Sequence, residues 1–261
     1  MGKITSALRK AAEDRLQRID KINKIKEQDQ IVVKKMGASK IDARIISYFD
    51  SKALITEQYK ILRTNLLSLN KGKPPRVIMM TSSLHAEGKT ITSLNLSCVM
   101  AQTINKPKIL LIDADMRRGR IAKYLGIDQP LGLSELLSGQ ATLEQTLFNT
   151  ELENLTFMAC GAIPHNPAEL LDSENMKNLI NDVRQRFDFV LIDTPPIIAV
   201  TDSGIVGTLV DGVVMVIQAG RTQRGIVNRA SELLYQAHAK LIGHVLTNIE
   251  YHLPEYIYRY L

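Results

Sequence analysis

Long apolar runs are absent from this chain of 261 residues: none approaches the eighteen or so that a membrane-spanning helix needs, and no secretory signal is legible. Cysteine is scarce. Cys98 and Cys160 are the two cysteines, far apart and outside any metal-ligand spacing, so both are read as reduced packing residues of a cytosolic protein. The five histidines form no cluster, and none is assigned a metal. An excess of one charge is also missing from most of the chain. The net charge is +6, but residues 1–40 hold eleven Lys and Arg against five Asp and Glu, which leaves twenty-two of each sign for the rest. A nucleic-acid partner needs a basic face, so none is expected.

What is present is ordinary for a globular protein, with 45% hydrophobic and 23% charged residues. The length allows a substantial core, and the motifs fall within one domain of roughly 200 residues. The most informative stretch is 81–90, TSSLHAEGKT, which follows the apolar run Val77-Ile78-Met79-Met80 and opens a helix-like segment from Ile91. A loop in that position points successive backbone N–H groups at one spot, beside the positive end of a helix dipole, and so cradles phosphates. It meets the pattern G-x-x-x-x-G-K-[ST] except at Ser83, which replaces the first glycine. Ser83, Glu87, Gly88, Lys89, Thr90 and Ile91 are therefore expected at a nucleotide, with Lys89 on the β- and γ-phosphates and the Thr90 hydroxyl on Mg²⁺.

Two more apolar runs end in acids. Ile109-Leu110-Leu111-Ile112 leads into Asp113-Ala114-Asp115-Met116-Arg117-Arg118, and Val190-Leu191-Ile192 into Asp193-Thr194-Pro195-Pro196. Continuous runs of this kind are buried strands of a parallel sheet, and ligands of open α/β sheets bind beyond the carboxyl ends of such strands. Three acids there, beside a phosphate loop, can hold Mg²⁺ and take a proton. Asp202, at the start of a predicted helix, can be an N-cap alone.

Strands are predicted near 76–81, 108–112, 154–158, 188–193, 212–218 and 241–247. Helices are predicted near 57–69, 89–103, 132–138, 173–187, 202–209 and 223–238. This alternation gives a doubly wound, mostly parallel α/β sheet. Before it, residues 1–28 read as a basic amphipathic helix carrying Ile4, Leu8, Ala12, Leu16 and Ile19. Such a helix can lie on an anionic membrane, dock a partner, or pack on its own domain. Residues 29–53 read as a linker. At the other end, Tyr251, Tyr256, Tyr258 and Tyr260 put half of the eight tyrosines into the last eleven residues.

Together these residues resemble the bacterial tyrosine kinases, P-loop autokinases of capsule and exopolysaccharide assembly. The likeness extends over about 54–261 and includes GLSELLSG at 132–139 and PHNPAELL at 164–171. It implies a P-loop kinase domain over 54–248 and a tyrosine-rich tail over 249–261. It further implies ATP and Mg²⁺, with phosphate passed in trans to the four tail tyrosines. Asp115 and Asp193 would help hold the metal with Thr90, and Asp113 would take the tyrosine proton, though Asp113 and Asp115 can exchange these roles. A phenol with pKa near 10 needs such help at neutral pH. Asn248 is placed at the adenine or as a strand-end cap. The implied partners are a separate transmembrane activator or polysaccharide co-polymerase, a homo-oligomeric ring and a cognate tyrosine phosphatase. The implied location is cytoplasmic, peripheral at the inner face of the cell membrane.

The sequence departs from the family in two places. His85-Ala86 stands where relatives carry Pro-Gly, and Glu57, Lys60 and Arg63 stand where an oligomerisation helix has Glu-x-x-Arg-x-x-Arg. Two other functions stay open. One is a ParA- or MinD-like ATPase switch, against which Leu84 counts, since that class carries lysine there. The other is a non-catalytic adaptor, against which Lys89, Thr90 and the three aspartates count.

Overall fold

The computed structural model describes residues 40–69, 76–128 and 130–249. The expected helix over 1–28 and the four tail tyrosines lie outside them. The four longest apolar runs become the centre of one seven-stranded sheet. Its strands are β1 (Val77–Ser82), β2 (Ile109–Asp113), β3 (Phe148–Asn149), β4 (Leu155–Met158), β5 (Phe189–Asp193), β6 (Gly212–Gln218) and β7 (Leu241–Thr247), in the spatial order β3-β4-β2-β5-β1-β6-β7. All pairings are parallel except β3 with β4. The sheet is thus α/β and mostly parallel, as expected.

Side chains alternate across the sheet, so β1 builds two cores at once. Val77 and Met79 join Leu110, Ile112, Val190, Ile192 and Met215 on one face. Ile78 and Met80 join Ile109, Leu111, Leu191 and Val214 on the other. Helix α3 (Lys89–Ala101) lies on that second face and is buried almost throughout, which its run of Leu94, Leu96, Val99 and Met100 permits. Helix α2 (Leu54–Ser68) covers α3 with Leu66. Across the sheet lie α8 (Glu174–Arg186), α9 (Asp202–Gly207) and α10 (Arg224–Gln236), anchored by Val183, Val206 and Leu234.

The reading of 29–53 as a linker is corrected over its described part. Helix α1 (Ile46–Phe49) follows Ile45, which is fully buried in the second core. The physical reason is Asn95 on α3. Its Oδ1 accepts the Ser47 N–H at 2.9 Å, and its Nδ2 donates to the Arg44 carbonyl at 3.1 Å. A buried amide with partners on both sides fixes this segment against the domain. Short elements that the sequence did not announce are β3, α4 (Ile121–Leu125), α6 (Leu143–Thr146) and α7 (Pro167–Leu171), all of them, like α1, spanning five residues or fewer. The expected helix near 132–138 is α5 (Leu133–Leu137). Among the described residues, no helix is long and apolar enough to cross a membrane.

Candidate active site

Strands β1, β2 and β5 are neighbours, so their carboxyl ends deliver the phosphate loop, Asp113 and Asp193 to one place. Gly88 sits at φ +91°, a left-handed conformation that favours glycine, and hands the chain from the loop into α3. A Cβ there would also press on Thr247 Cγ2 at 3.3 Å. Lys89 follows, and although it is a lysine it is buried. Its Nζ lies 3.3 Å from Asp193 Oδ2 and 3.4 Å from Asp115 Oδ2. Asp193 is further fixed by the Thr90 hydroxyl, which donates to Oδ2 at 2.7 Å, and by the Ser93 hydroxyl, which donates to Oδ1 at 3.2 Å. Lys89, Thr90, Asp113, Asp115 and Asp193 are thus brought together as the sequence led one to expect.

The electrostatics of the cluster follow from burial. Burial works against the Lys89 ammonium, but Asp193, Asp115 and Asp113 outweigh it, and the net effect holds its pKa above the usual value. Burial raises the Asp193 carboxyl despite Lys89. Asp113 is raised to about 7, first by burial and then by the neighbouring Asp193 charge. Its Oδ1 accepts the Asp115 N–H at 3.2 Å and its Oδ2 the Ile121 N–H at 3.0 Å, which aims the carboxylate and limits the rise.

A cavity of about 530 Å³ is lined by Gly119, Ala122, Ile127, Leu131 and Cys160, and Asp113 is not part of its wall. Gly119 is required by close approach, since a Cβ there would collide with Cys160 Sγ and come within 3.1 Å of Asp113 Oδ2. The Cys160 thiol is pushed up to about 12 by burial and by Asp113, which suits a wall rather than a nucleophile.

Ser83 and Glu87 engage their side chains within the protein: the Ser83 hydroxyl contacts Met215 Sδ at 3.3 Å, and the Glu87 carboxylate accepts the N–H of Leu84 in the same loop at 2.7 Å. Ile91 is half-buried in the first turn of α3. Asn248 stands exposed at φ +52°, a conformation asparagine tolerates, just after β7.

Sequence reasoning missed the role of Asp202. It is fully buried and caps no backbone, and instead takes Arg117 in a two-bond fork, Nε to Oδ2 at 2.9 Å and Nη2 to Oδ1 at 3.0 Å. No local signal could pair residues 85 apart. The fork ties the turn that carries Asp115 to the start of α9. Arg117→Ala would strand the Asp202 charge, and with Arg117 itself 40% exposed the expected cost is discounted to about 2–3 kcal/mol. The melting temperature should fall by roughly 5–10 °C, and adding Asp202→Asn should restore part of it.

The donor set of Thr90, Asp115 and Asp193 is all oxygen, which fits a hard cation such as Mg²⁺. Among the described residues, no three His, Cys, Asp or Glu converge into a cage of their own.

Comparison with known proteins shows the family. A family model described as AAA domain (AAA_31) matches residues 75–238. Tyrosine-protein kinase YwqD of Bacillus subtilis is 35% identical over 216 residues, covering 83% of this chain and 90% of that protein. Tyrosine-protein kinase ptk of Acinetobacter johnsonii is 35% identical over 207 residues, covering 79% of this chain, but the match spans only 28% of that longer protein. The kinase domain of Escherichia coli tyrosine kinase ETK superposes with a TM-score of 0.76 at 26% identity, over 87% of this chain and 90% of that one. Likeness to a plasmid partition protein of Borrelia burgdorferi, at 19% identity and a TM-score of 0.56, reflects the fold alone. The chain belongs to the bacterial protein-tyrosine kinases, built on a P-loop domain of the AAA type.

Proposed function

We propose that the chain transfers the γ-phosphoryl group of ATP to Tyr251, Tyr256, Tyr258 and Tyr260 of a second copy. The observation that carries this is the position of Asp113, which faces Lys89 and lies against Gly119, itself a wall of the cavity that Cys160 also lines. Lys89 would leave Asp115 and Asp193 for the β- and γ-phosphates. Thr90, Asp115 and Asp193 would hold Mg²⁺, whose chemistry when bound is to neutralise phosphate charge and orient the γ-phosphate. The phenol would enter through the cavity, and Asp113 would take its proton. A base whose pKa lies near 7 is well matched to that task.

The wider role belongs to the same proposal: control of capsule or exopolysaccharide synthesis at the inner face of the membrane. A transmembrane activator or polysaccharide co-polymerase and a cognate tyrosine phosphatase belong to the same proposal as its partners. A homo-oligomeric ring belongs to it as well. On α2, Lys60 donates to Glu57 Oε1 at 2.7 Å and Arg63 to the Val99 carbonyl at 3.0 Å, so both are already engaged within one subunit. Asn248 is proposed to reach the adenine.

The test is peptide mass mapping after incubation with ATP and Mg²⁺, using two chains of different mass. One carries Lys89→Met, the other Tyr→Phe at all four tail positions. Phosphate on the tail of the Lys89→Met chain, and only in the mixture, is expected for transfer in trans. An unmodified tail with ATP still hydrolysed, in the presence of a membrane activator, would replace this proposal with an ATPase switch.

A further inference from the structure

Glu87 is an odd residue for a loop that receives phosphates, because a carboxylate aimed at them would repel them. Its side chain is turned away and is 2% exposed. Oε2 accepts the Leu84 N–H at 2.7 Å. Oε1 accepts the Thr222 hydroxyl and, at 3.4 Å, the Gln218 N–H. The Glu87 main-chain carbonyl accepts the Thr247 hydroxyl at 2.8 Å. One residue is therefore tied to the start of its own loop, to the end of β6 and the turn beyond it, and to the last residue of β7. Arg221 adds a bond from Nη1 to the Ala86 carbonyl at 3.3 Å. The turn held in this way has Ala86 at φ +61° and Gly88 at φ +91° on either side of Glu87. An alanine keeps such a backbone only where its surroundings hold it there.

We infer that Glu87 is a positioning residue for nucleotide binding. Its carboxylate acts through the loop backbone and never touches the nucleotide. It fixes the loop N–H groups and Lys89 before phosphate arrives, so that less ordering is left for the binding step. A carboxylate suits the position because every partner of the side chain is a donor and a carboxylate is acceptor only. The inference rests on the nucleotide-binding part of the proposed function and not on phosphate transfer.

The experiment measures ADP affinity and melting temperature on the full chain, with the ATP dependence of turnover alongside. The variants are Glu87→Gln, Glu87→Ala and Thr222→Val. The Kd for ADP should rise about tenfold in Thr222→Val and further in Glu87→Ala. Glu87→Gln should fall between the wild type and Glu87→Ala, because the amide keeps one acceptor. Thr222→Val should add little to Glu87→Ala, since both break the same contact. KM for ATP should rise more than kcat falls. An ADP affinity within twofold of wild type in variants that only melt earlier would overturn the inference, because it would leave Glu87 a purely structural brace. Lost binding in Glu87→Gln with full binding in Thr222→Val would overturn it too, by placing the carboxylate on the nucleotide itself. Since ADP binding needs no acceptor, failure here is distinguishable from failure of the kinase proposal, which is read from the tail.

Discussion

Lys89→Met is expected to lower phosphate transfer by about a thousandfold or more, the scale on which loss of one preorganised charge acts in phosphoryl transfer. The same substitution has a second signature in the nucleotide-free protein. Lys89 lies 3.3–3.4 Å from the Asp193 and Asp115 carboxylates, and removing it leaves their charge buried without a counter-ion. Stranding buried charge costs a few kcal/mol, but the Asp193 carboxyl, already raised by burial, can escape the cost by protonation. The loss of stability should therefore be larger at pH 8 than at pH 5.5, as read from urea unfolding midpoints. An equal loss at both pH values would mean that the ammonium does not hold the cluster together.

Asp113→Asn is expected to reduce transfer to tyrosine by about a hundredfold or more while leaving ADP affinity nearly unchanged, because the proton acceptor is removed but the phosphate loop is not. Its effect on stability has the opposite sign to the usual loss of a charge. Asp113 has a folded pKa of about 7 against an ordinary 3.8, so the native state holds its proton more tightly than the unfolded state. Between about pH 4 and 7 the unfolded chain gives up this proton while the folded protein keeps it, so raising the pH through that window favours unfolding and lowers stability, by an amount on the order of a few kcal/mol. The wild type should lose stability across that window, and Asp113→Asn should lose much less. The residual slope would belong to Asp193, whose folded pKa is also raised. Parallel pH profiles for the two proteins would sink the account of Asp113 as a carboxyl destabilised by burial.

The parts of the molecule legible in the sequence are those whose signal is continuous. Runs such as Ile109–Ile112 and Val190–Ile192 could only be central strands, and strands joined by helices deliver their ends to one edge. Lys89, Thr90, Asp113, Asp115 and Asp193 could therefore be placed together before any coordinates. What escaped was either too short or too distant. Helices α1, α4, α6 and α7 are single turns held by tertiary partners, among them Asn95, which reaches back to residues 44–47. The Arg117–Asp202 fork and the bond between Glu87 and Thr222 join positions 85 and 135 residues apart. Glu87 was expected at the nucleotide because it lies within the loop motif. Motif spacing gives no direction for a side chain, and this one points into the protein.

The place of β1 in the sheet bears on how the molecule is made. Its two neighbours are β5 and β6, so Val77 pairs with Val190, and Ile78 with Leu191 and Gly212. The strand that launches the phosphate loop therefore waits, during vectorial synthesis, until more than a hundred later residues have left the ribosome. At about 5–20 residues per second that delay is some 6–20 seconds. During it this strand, apolar from Val77 to Met80, has no edge to join, and pairings of such long sequence separation form slowly. The phosphate loop is therefore expected to settle only after β6 has been made, since until then the strand that launches it lacks at least one neighbour.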